Sequence, residues 1–226
     1  MDKRNKTLWI ILGLIALAAF GAVAWYLASP LFINRSVEEA FPFEMPSQED
    51  IAQMSASEKE KLESDFEAAL PNEDELADMS PQVRQAVEDR AMEVAAAMPE
   101  QQMEEAMPSS GQPQLLAQGQ FIGADSFHMG SGDARIYALA DGNLILRLEN
   151  FSVTNGPDLH VLLAENPSPQ DSDSLGVYLD LGSLKGNLGN QNYDIPAGTD
   201  INQFKSVVIY CLPFHVVFST ADLAGE

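Results

Sequence analysis

The spacing of apolar residues changes twice along the chain and divides it into three parts. A run that starts at Leu8 and ends at Leu27 contains no charged residue. Between residues 36 and 107 apolar residues recur every three or four positions, which is typical of amphipathic helices. From residue 113 onwards they alternate at every second position, which is typical of β-strands. We therefore expect an apolar N-terminal segment, a helical segment and a β-domain.

The run from Leu8 to Leu27 predicts a membrane anchor. As a helix it would be about 30 Å long, which matches the hydrocarbon core of a bilayer. Lys3, Arg4 and Lys6 precede it, and positive residues favour the cytoplasmic side of a membrane. We expect residues 1–35 to form a cytoplasmic tip and a single transmembrane helix, with the bulk of the chain extracytoplasmic, periplasmic or at the cell surface. A signal peptide cleaved at the small residues 22–24 is the alternative.

The helical segment, residues 36–107, is acidic and rich in methionine. A capping box at residues 57–60 predicts one helix start, and Ser80 followed by Pro81 predicts another, since proline is tolerated in the first helical turn. We expect a short stalk or helical hairpin next to the membrane. Its methionines could bind Cu(I), because thioether sulfur is a soft ligand, or fill loose helix interfaces.

Residues 108–112 read as a linker, and residues 113–226 as a β-domain. Asp141-Gly142 predicts a two-residue type I′ turn that places Tyr137 opposite Leu146. Short strands separated by Gly, Pro, Asn and Asp, without a helix-length pattern, indicate a mainly β fold, a small β-sandwich or barrel. The predicted strands cover residues 115–122, 134–140, 143–148, 159–163, 176–181 and 191–195, with a further pair within 205–218.

The charge balance limits the partners and the chemistry. The chain has 34 acidic against 12 basic residues and a net charge of −22. Because such a surface repels phosphate, nucleic acid is excluded as a partner, while cations and basic proteins remain. Neither a Ser-His-Asp order nor a phosphate loop or zinc-protease motif occurs in a convincing setting. We therefore expect an electron-transfer or binding protein rather than a hydrolase or transferase.

The single cysteine, Cys211, is the main candidate for chemistry. In a strand from residue 207 to 212 it shares one face with Val207 and Ile209. A free cysteine among apolar neighbours can be a small buried hydrophobe. In an exported protein, an unpaired thiol can instead be a reactive or redox group. The pattern leaves both interpretations open.

Three further residues could form a metal site with Cys211. His215 follows it by four positions, about 13 Å along a straight strand, so only a turn at Pro213 would bring the two side chains together. The string Tyr-Cys-x-Pro-x-His resembles the copper loop of cupredoxins, with His160 as an upstream ligand but without an axial methionine in residues 216–220. The candidate metal and cofactor ligands are therefore Cys211, His160 and His215. Asp158 could orient an imidazole from outside the ligand set.

His128 lies just before a Gly-rich turn. It could be a metal ligand together with Met129, or only a turn residue.

Several separated motifs occur together in the β-domain. They are Phe127-His128-x-x-x-Gly132, Leu148-x-x-Phe151, the stretch 156–161, the stretch 184–196, and the stretch 207–214 with Ala221-x-Leu223. In this order they resemble the DM-thirteen (DM13) domain of Skeletor-type cell-surface proteins. The resemblance implies an extracytoplasmic β-domain proposed to transfer electrons, with its cysteine, here Cys211, as redox thiol or as ligand to a prosthetic group.

Two main functional hypotheses follow, and copper handling shared by the methionine-rich segment and the Cys/His site is a third. The first is a membrane-anchored extracytoplasmic domain with a Cys211-centred redox or metal site, which exchanges electrons with an unidentified redox or envelope protein. Haem and copper are both candidate cofactors, and so is the absence of any. The second is a non-catalytic binding module in which Cys211 is a structural core residue.

Overall fold

The computed structural model describes Phe43, residues 45–108 and residues 112–225. The predicted anchor lies outside these residues. Within the part of the chain that is described, no helix is both long enough and apolar enough to cross a membrane.

Four helices precede the β-domain: α1 is Gln48–Gln53, α2 is Ala56–Ala69, α3 is Glu73–Asp78 and α4 is Pro81–Ala96. The predicted start of α4 at Ser80 is confirmed, and the Ser80 side chain accepts a hydrogen bond from the backbone of Val83. The predicted start of α2 at Ser57 is wrong. Ser55 caps this helix, and its backbone N–H donates to Glu58 Oε2 at 2.7 Å. Ser55 has the extended backbone that a cap requires, whereas Ser57 already lies inside the helix.

The helices pack against each other and against the β-domain. Phe66 of α2 is buried among Val87, Ala91 and Val94 of α4, and its ring meets that of Phe43 edge to face. On the other side of α4, Met92 packs against the core of the β-domain. The apolar face of the helices is therefore closed partly by the sheet.

The β-domain is mainly β, as the sequence predicts, and is a half-barrel built from one ten-stranded sheet. The order of strands across the sheet is β1-β7-β4-β3-β2-β9-β8-β5-β6, with β10 beside β2. All neighbouring strands are antiparallel except β1 and β7, which are parallel. The strands are β1 Gln102–Glu104, β2 Gln114–Gly123, β3 Gly130–Ala138, β4 Leu144–Val153, β5 Leu159–Ala164, β6 Tyr178–Ser183, β7 Leu188–Ile195, β8 Ser206–Cys211, β9 Val216–Asp222 and β10 Ala224–Gly225.

The hairpin between β3 and β4 differs from its prediction. Gly142 N–H donates to Leu139 O and Leu139 N–H to Asn143 O, so the loop has three residues rather than two. Gly142 has a φ of +87°, but Asp141 is not in the left-handed region that a type I′ turn requires. The register shifts by one residue as a result. Leu146 pairs with Ile136 rather than with Tyr137, and Ile136 therefore faces the core.

Residues 102–104, which the sequence places in the helical segment, form the edge strand β1. The chain just after it is also fixed to β7: Glu105 accepts hydrogen bonds from the Lys185 ammonium at 2.8 Å and from the Asn192 backbone at 2.7 Å. The strands approach closely at Gly189, where an added Cβ would lie 1.8 Å from the carbonyl oxygen of Met103. Only glycine leaves room for this parallel pairing.

The strand β8 is buried along its whole length. One face, with Val207, Ile209 and Cys211, points into the main core. The other face, with Val208 and Tyr210, packs in a second cluster that includes Leu175 from the loop between β5 and β6. Burial on both faces makes β8 the most enclosed strand of the domain.

Replacing Gly189 by alanine should destabilise the protein more than the same change at Gly142. Both glycines have a positive φ, which costs an L-residue about 1 kcal/mol, but the site at Gly142 is open whereas Gly189 abuts Met103. We expect a loss of about 1 kcal/mol for Gly142→Ala and at least about 3 kcal/mol for Gly189→Ala in the free energy of unfolding, measured with urea. Equal losses would contradict the tight packing of β1 on β7.

Candidate functional site

Cys211 ends β8 and lies in the core of the β-domain. Its residue exposure is 0%, and it pairs across the sheet with Leu159 of β5. The thiol donates a hydrogen bond to the carbonyl oxygen of Pro157 at 3.0 Å. The prediction that Cys211 shares a face with Val207 and Ile209 is confirmed.

The environment of Cys211 keeps the thiol protonated. Burial raises its pKa to about 12, an effect that a hydrogen bond from the backbone of Phe214 opposes, and the negative charges of Asp158 and Glu88 act in the same direction as burial. The thiolate is the nucleophilic and metal-binding form of cysteine. At neutral pH this side chain is therefore a poor nucleophile and is shielded from thiol exchange.

A tight loop separates Cys211 from solvent. Its Gly156 lies against the ring of Phe218, so close that an added Cβ would be 2.3 Å from that ring. The amide of Asn155 donates to the carbonyl oxygen of Met98, at the end of the helical segment, at 3.2 Å. The loop is thus held both by the core below it and by the helices beside it.

An open cavity of about 430 Å³ lies between this loop and the helices. Gly156 and Asp158 line it on one side, and Glu63, Phe66 and Glu67 of α2 on the other. Burial raises the pKa values of Glu63 and Glu67 above the ordinary range. The thiol of Cys211 is therefore hydrogen-bonded to a loop that also lines this open, acidic cavity.

His160 lies on the opposite face of the sheet from Cys211. It pairs with Tyr210 across β5 and β8, and its imidazole contacts two carboxylates, with Nε2 3.2 Å from Asp158 and Nδ1 2.8 Å from Asp180. The hydrogen bonds with Asp158 and Asp180 raise the pKa of His160, although its partial burial acts against them. Asp158 and Asp180 thus hold the imidazole of His160 between them.

His215 is part neither of the Cys211 environment nor of the group formed by His160 and its two aspartates. The chain does turn at residues 212–215, and His215 has a φ of +58° in that turn. The turn carries the imidazole towards Tyr210, whose hydroxyl lies 3.1 Å from His215 Nδ1. Burial raises the pKa of Tyr210 to about 12, so this hydroxyl stays protonated.

The predicted ligands are consequently not assembled around the sulfur. Cys211 lies on the main-core face of the sheet, whereas His160 lies on the opposite face and His215 contacts Tyr210, which packs in the second cluster on that face. Throughout residues 45–108 and 112–225, no group of three His, Cys, Asp or Glu side chains is placed to hold a metal ion. A metal or haem shared by Cys211, His160 and His215 does not fit this arrangement.

Sequence reasoning missed two carboxylates beside histidines. Asp180 is 20 residues from His160 in sequence and meets it only through the pairing of β5 with β6, so no local signal could reveal it. Asp125 could be predicted, because Asp side chains in turns commonly accept a hydrogen bond from the backbone two residues further on. Its Oδ1 accepts the backbone N–H groups of Phe127 and His128, and its Oδ2 lies 2.7 Å from His128 Nδ1.

The motif at residues 184–196 is structural. The Gln191 amide donates to the carbonyl oxygen of Gly186 at 2.6 Å, and the Tyr193 hydroxyl donates to Gln191 Oε1 at 2.8 Å. The same hydroxyl accepts from the backbone of Lys185 at 3.0 Å. These buried bonds fix the loop before β7, as expected for a polar network in a core.

Replacing His160 by glutamine should reduce the pH dependence of stability above the unfolded pKa of histidine, about 6.5. Because the folded state raises the pKa of His160, its contribution is complete below the unfolded pKa of about 6.5 and is lost as the pH rises through the folded pKa. Wild type should lose stability over this range relative to His160→Gln, as measured by urea unfolding at a series of pH values. Parallel profiles of the two proteins would show that the two aspartates do not hold the imidazolium.

Comparison with known proteins adds one match. A search of curated proteins and of solved structures finds none, whereas the family model described as Electron transfer DM13 matches residues 120–223. The matched region spans the strands from the end of β2 to β9, and it contains the Pro157 loop and Cys211. Over these residues the resemblance of the β-domain to the DM13 family is therefore confirmed.

Proposed function

We propose that the β-domain transfers electrons to or from a partner protein and that the sulfur of Cys211 is central to this activity. The observation that carries the proposal is the match of residues 120–223 to a family described by electron transfer. The proposal is also supported by the hydrogen bond from Cys211 to the carbonyl of Pro157, which places the sulfur directly beneath the loop that lines the cavity. In this step the thiol would lose one electron to the partner protein and one proton to the solvent beyond the loop, and reduction would return both. A substrate could not reach the buried thiol.

The charge of the protein indicates the kind of partner. The net charge is −22, and the cavity outside the Pro157 loop is lined by Glu60, Glu63, Glu67, Glu100 and Asp158 beside a single lysine, Lys59. A positively charged docking surface would be steered towards this cavity, and small, weak contacts are typical of electron-transfer complexes. We therefore propose a basic redox protein of the same compartment as the partner.

A non-catalytic binding module is the second candidate. It is favoured by the complete burial of Cys211 and by a thiol pKa of about 12, since both are typical of an inert cysteine in a core. On this hypothesis the sulfur contributes packing and one hydrogen bond, and the protein has no redox centre.

Voltammetry of the full chain in detergent separates the two candidates. We expect a reversible redox wave from the wild type that is absent from Cys211→Ser, in which the hydroxyl can still donate to the Pro157 carbonyl. Ile209→Val is the matched control, because it alters the same buried face of β8 at a cost of only about 1 kcal/mol. This variant should keep the wave.

The possible results lead to different conclusions. A wild-type protein without any wave would overturn the electron-transfer proposal and favour the binding module. A wave that persists in Cys211→Ser would keep electron transfer but move its centre away from the sulfur. Equal loss in both variants would indicate a general effect of disturbing β8.

We further propose that the run from Leu8 to Leu27 anchors the protein in a membrane with its β-domain extracytoplasmic. The lack of charge in this run and the basic residues before it support the proposal. The full chain should remain in the membrane pellet after alkaline carbonate washing, and a variant without residues 8–27 should be released. Release of the full chain would refute the anchor.

A further inference from the structure

A second cavity, of about 720 Å³, lies between α4 and the loop that joins β2 to β3. Its wall is mostly apolar and includes Met92 of α4, the loop residues Phe127, His128 and Met129, and Phe218 of β9. Glu88, one helical turn before Met92, adds a carboxylate. None of these residues forms a hydrogen bond with Cys211, and Glu88 acts on the thiol only through its charge.

The orientation of His128 leaves one ring nitrogen free in this cavity. Nδ1 lies 2.7 Å from Asp125 Oδ2. Because a carboxylate only accepts, the neutral form of the ring carries its proton on Nδ1 and has its lone pair on Nε2. No residue that the structure describes forms a hydrogen bond with Nε2. The ring is fixed by an edge-to-face contact with Phe218, with the centroids 4.4 Å apart. An imidazole backed by a carboxylate in this way is typical of a metal ligand.

Two thioethers line the same cavity as this imidazole. Met92 reaches it from the helix and Met129 from the loop. Met129 is 61% exposed, so it does not serve as a core residue that fills space. Its backbone is nevertheless fixed, since its N–H donates to the Thr154 hydroxyl at 3.1 Å and its carbonyl accepts from the Thr154 backbone at 3.0 Å. A solvent-exposed thioether on a fixed backbone is available to a ligand.

The donor set selects one kind of metal. Within the described residues, His, Cys, Asp and Glu side chains form no three-membered metal group, which disfavours zinc and the hard cations. Thioether sulfur together with imidazole nitrogen suits Cu(I). We propose that His128 Nε2 and the sulfur atoms of Met92 and Met129 bind one Cu(I) ion.

The site joins two parts of the chain and does not depend on electron transfer. Met92 belongs to the helical segment, whereas His128 and Met129 belong to the β-domain. Unbranched methionine side chains have three rotatable bonds, so their sulfur atoms can adjust their positions to an ion. Bound Cu(I) would therefore link α4 to the β2–β3 loop.

Competition with bicinchoninate for Cu(I), under anaerobic and reducing conditions, tests the site in the full chain in detergent. We expect one tightly bound ion per chain. His128→Gln and the double variant Met92→Leu with Met129→Leu should each lower the affinity at least about tenfold, and Asp125→Asn about tenfold through the loss of ring orientation. Two control variants, Cys211→Ser and Met103→Leu, should keep the wild-type affinity. Met103 belongs to β1 and does not line the cavity. X-ray absorption should report both sulfur and nitrogen ligands.

Three results would overturn the site: no tight Cu(I) binding by wild type, unchanged affinity in the double methionine variant, or loss of binding in Cys211→Ser. Thermal melting of each variant serves as the folding control, since leucine keeps the volume of methionine. An equal loss of affinity in Met103→Leu would also count against the site, because it would show scattered binding by methionines in general.

Discussion

The burial of β8 on both faces is the constraint on which the rest of the β-domain depends. The strand lies between β5 and β9, with the main core on one side and the cluster around Leu175 on the other. A side chain on such a strand must be apolar or have its hydrogen bonds satisfied inside the protein. Cys211 meets this requirement through the carbonyl of Pro157. Its burial, its raised pKa and its lack of a histidine partner all follow from the position of β8.

The loop before β5 contacts the main core, the helical segment and the opposite face of the sheet. Pro157 accepts the bond from the thiol, Asn155 binds the end of the helical segment, and Asp158 contacts His160 on the outer face. Asp158 has a φ of +40°, and Gly156 fits only because it has no side chain. A change in any one of these contacts would therefore be transmitted to the others, since the packed loop has little freedom to adjust.

The sequence predicts where the helices and strands lie better than it predicts how they pair and which side chains they bring into contact. Period-2 patterns locate the strands because alternate side chains reach the core, and Ser80-Pro81 locates α4 through local capping chemistry. The register of β3 on β4 could not be predicted, because Asp-Gly fits either a two-residue or a three-residue loop and only the wider sheet decides. The orientation of Cys211 towards the core could be predicted, because Val207 and Ile209 lie on the same face of the strand. The contact of His160 with Asp180 was not, since it depends on pairing between β5 and β6, and the direction of His215 depends on a turn whose geometry Pro213 alone does not specify.

Phe218 determines how the thiol and the histidine cavity relate to each other. Its ring packs against Gly156, the residue before Pro157, whose carbonyl accepts the hydrogen bond from Cys211. The same ring meets the imidazole of His128 edge to face. Phe218 is nearly completely buried, so its ring is a rigid spacer rather than a mobile gate. The two features therefore share one packed wall, and the charge of Glu88, which lines the histidine cavity, also acts on the pKa of Cys211. They share no hydrogen-bond partner, because the thiol donates to Pro157 and the imidazole contacts Asp125. The coupling between the two positions is therefore limited to packing against Phe218 and to the charge of Glu88.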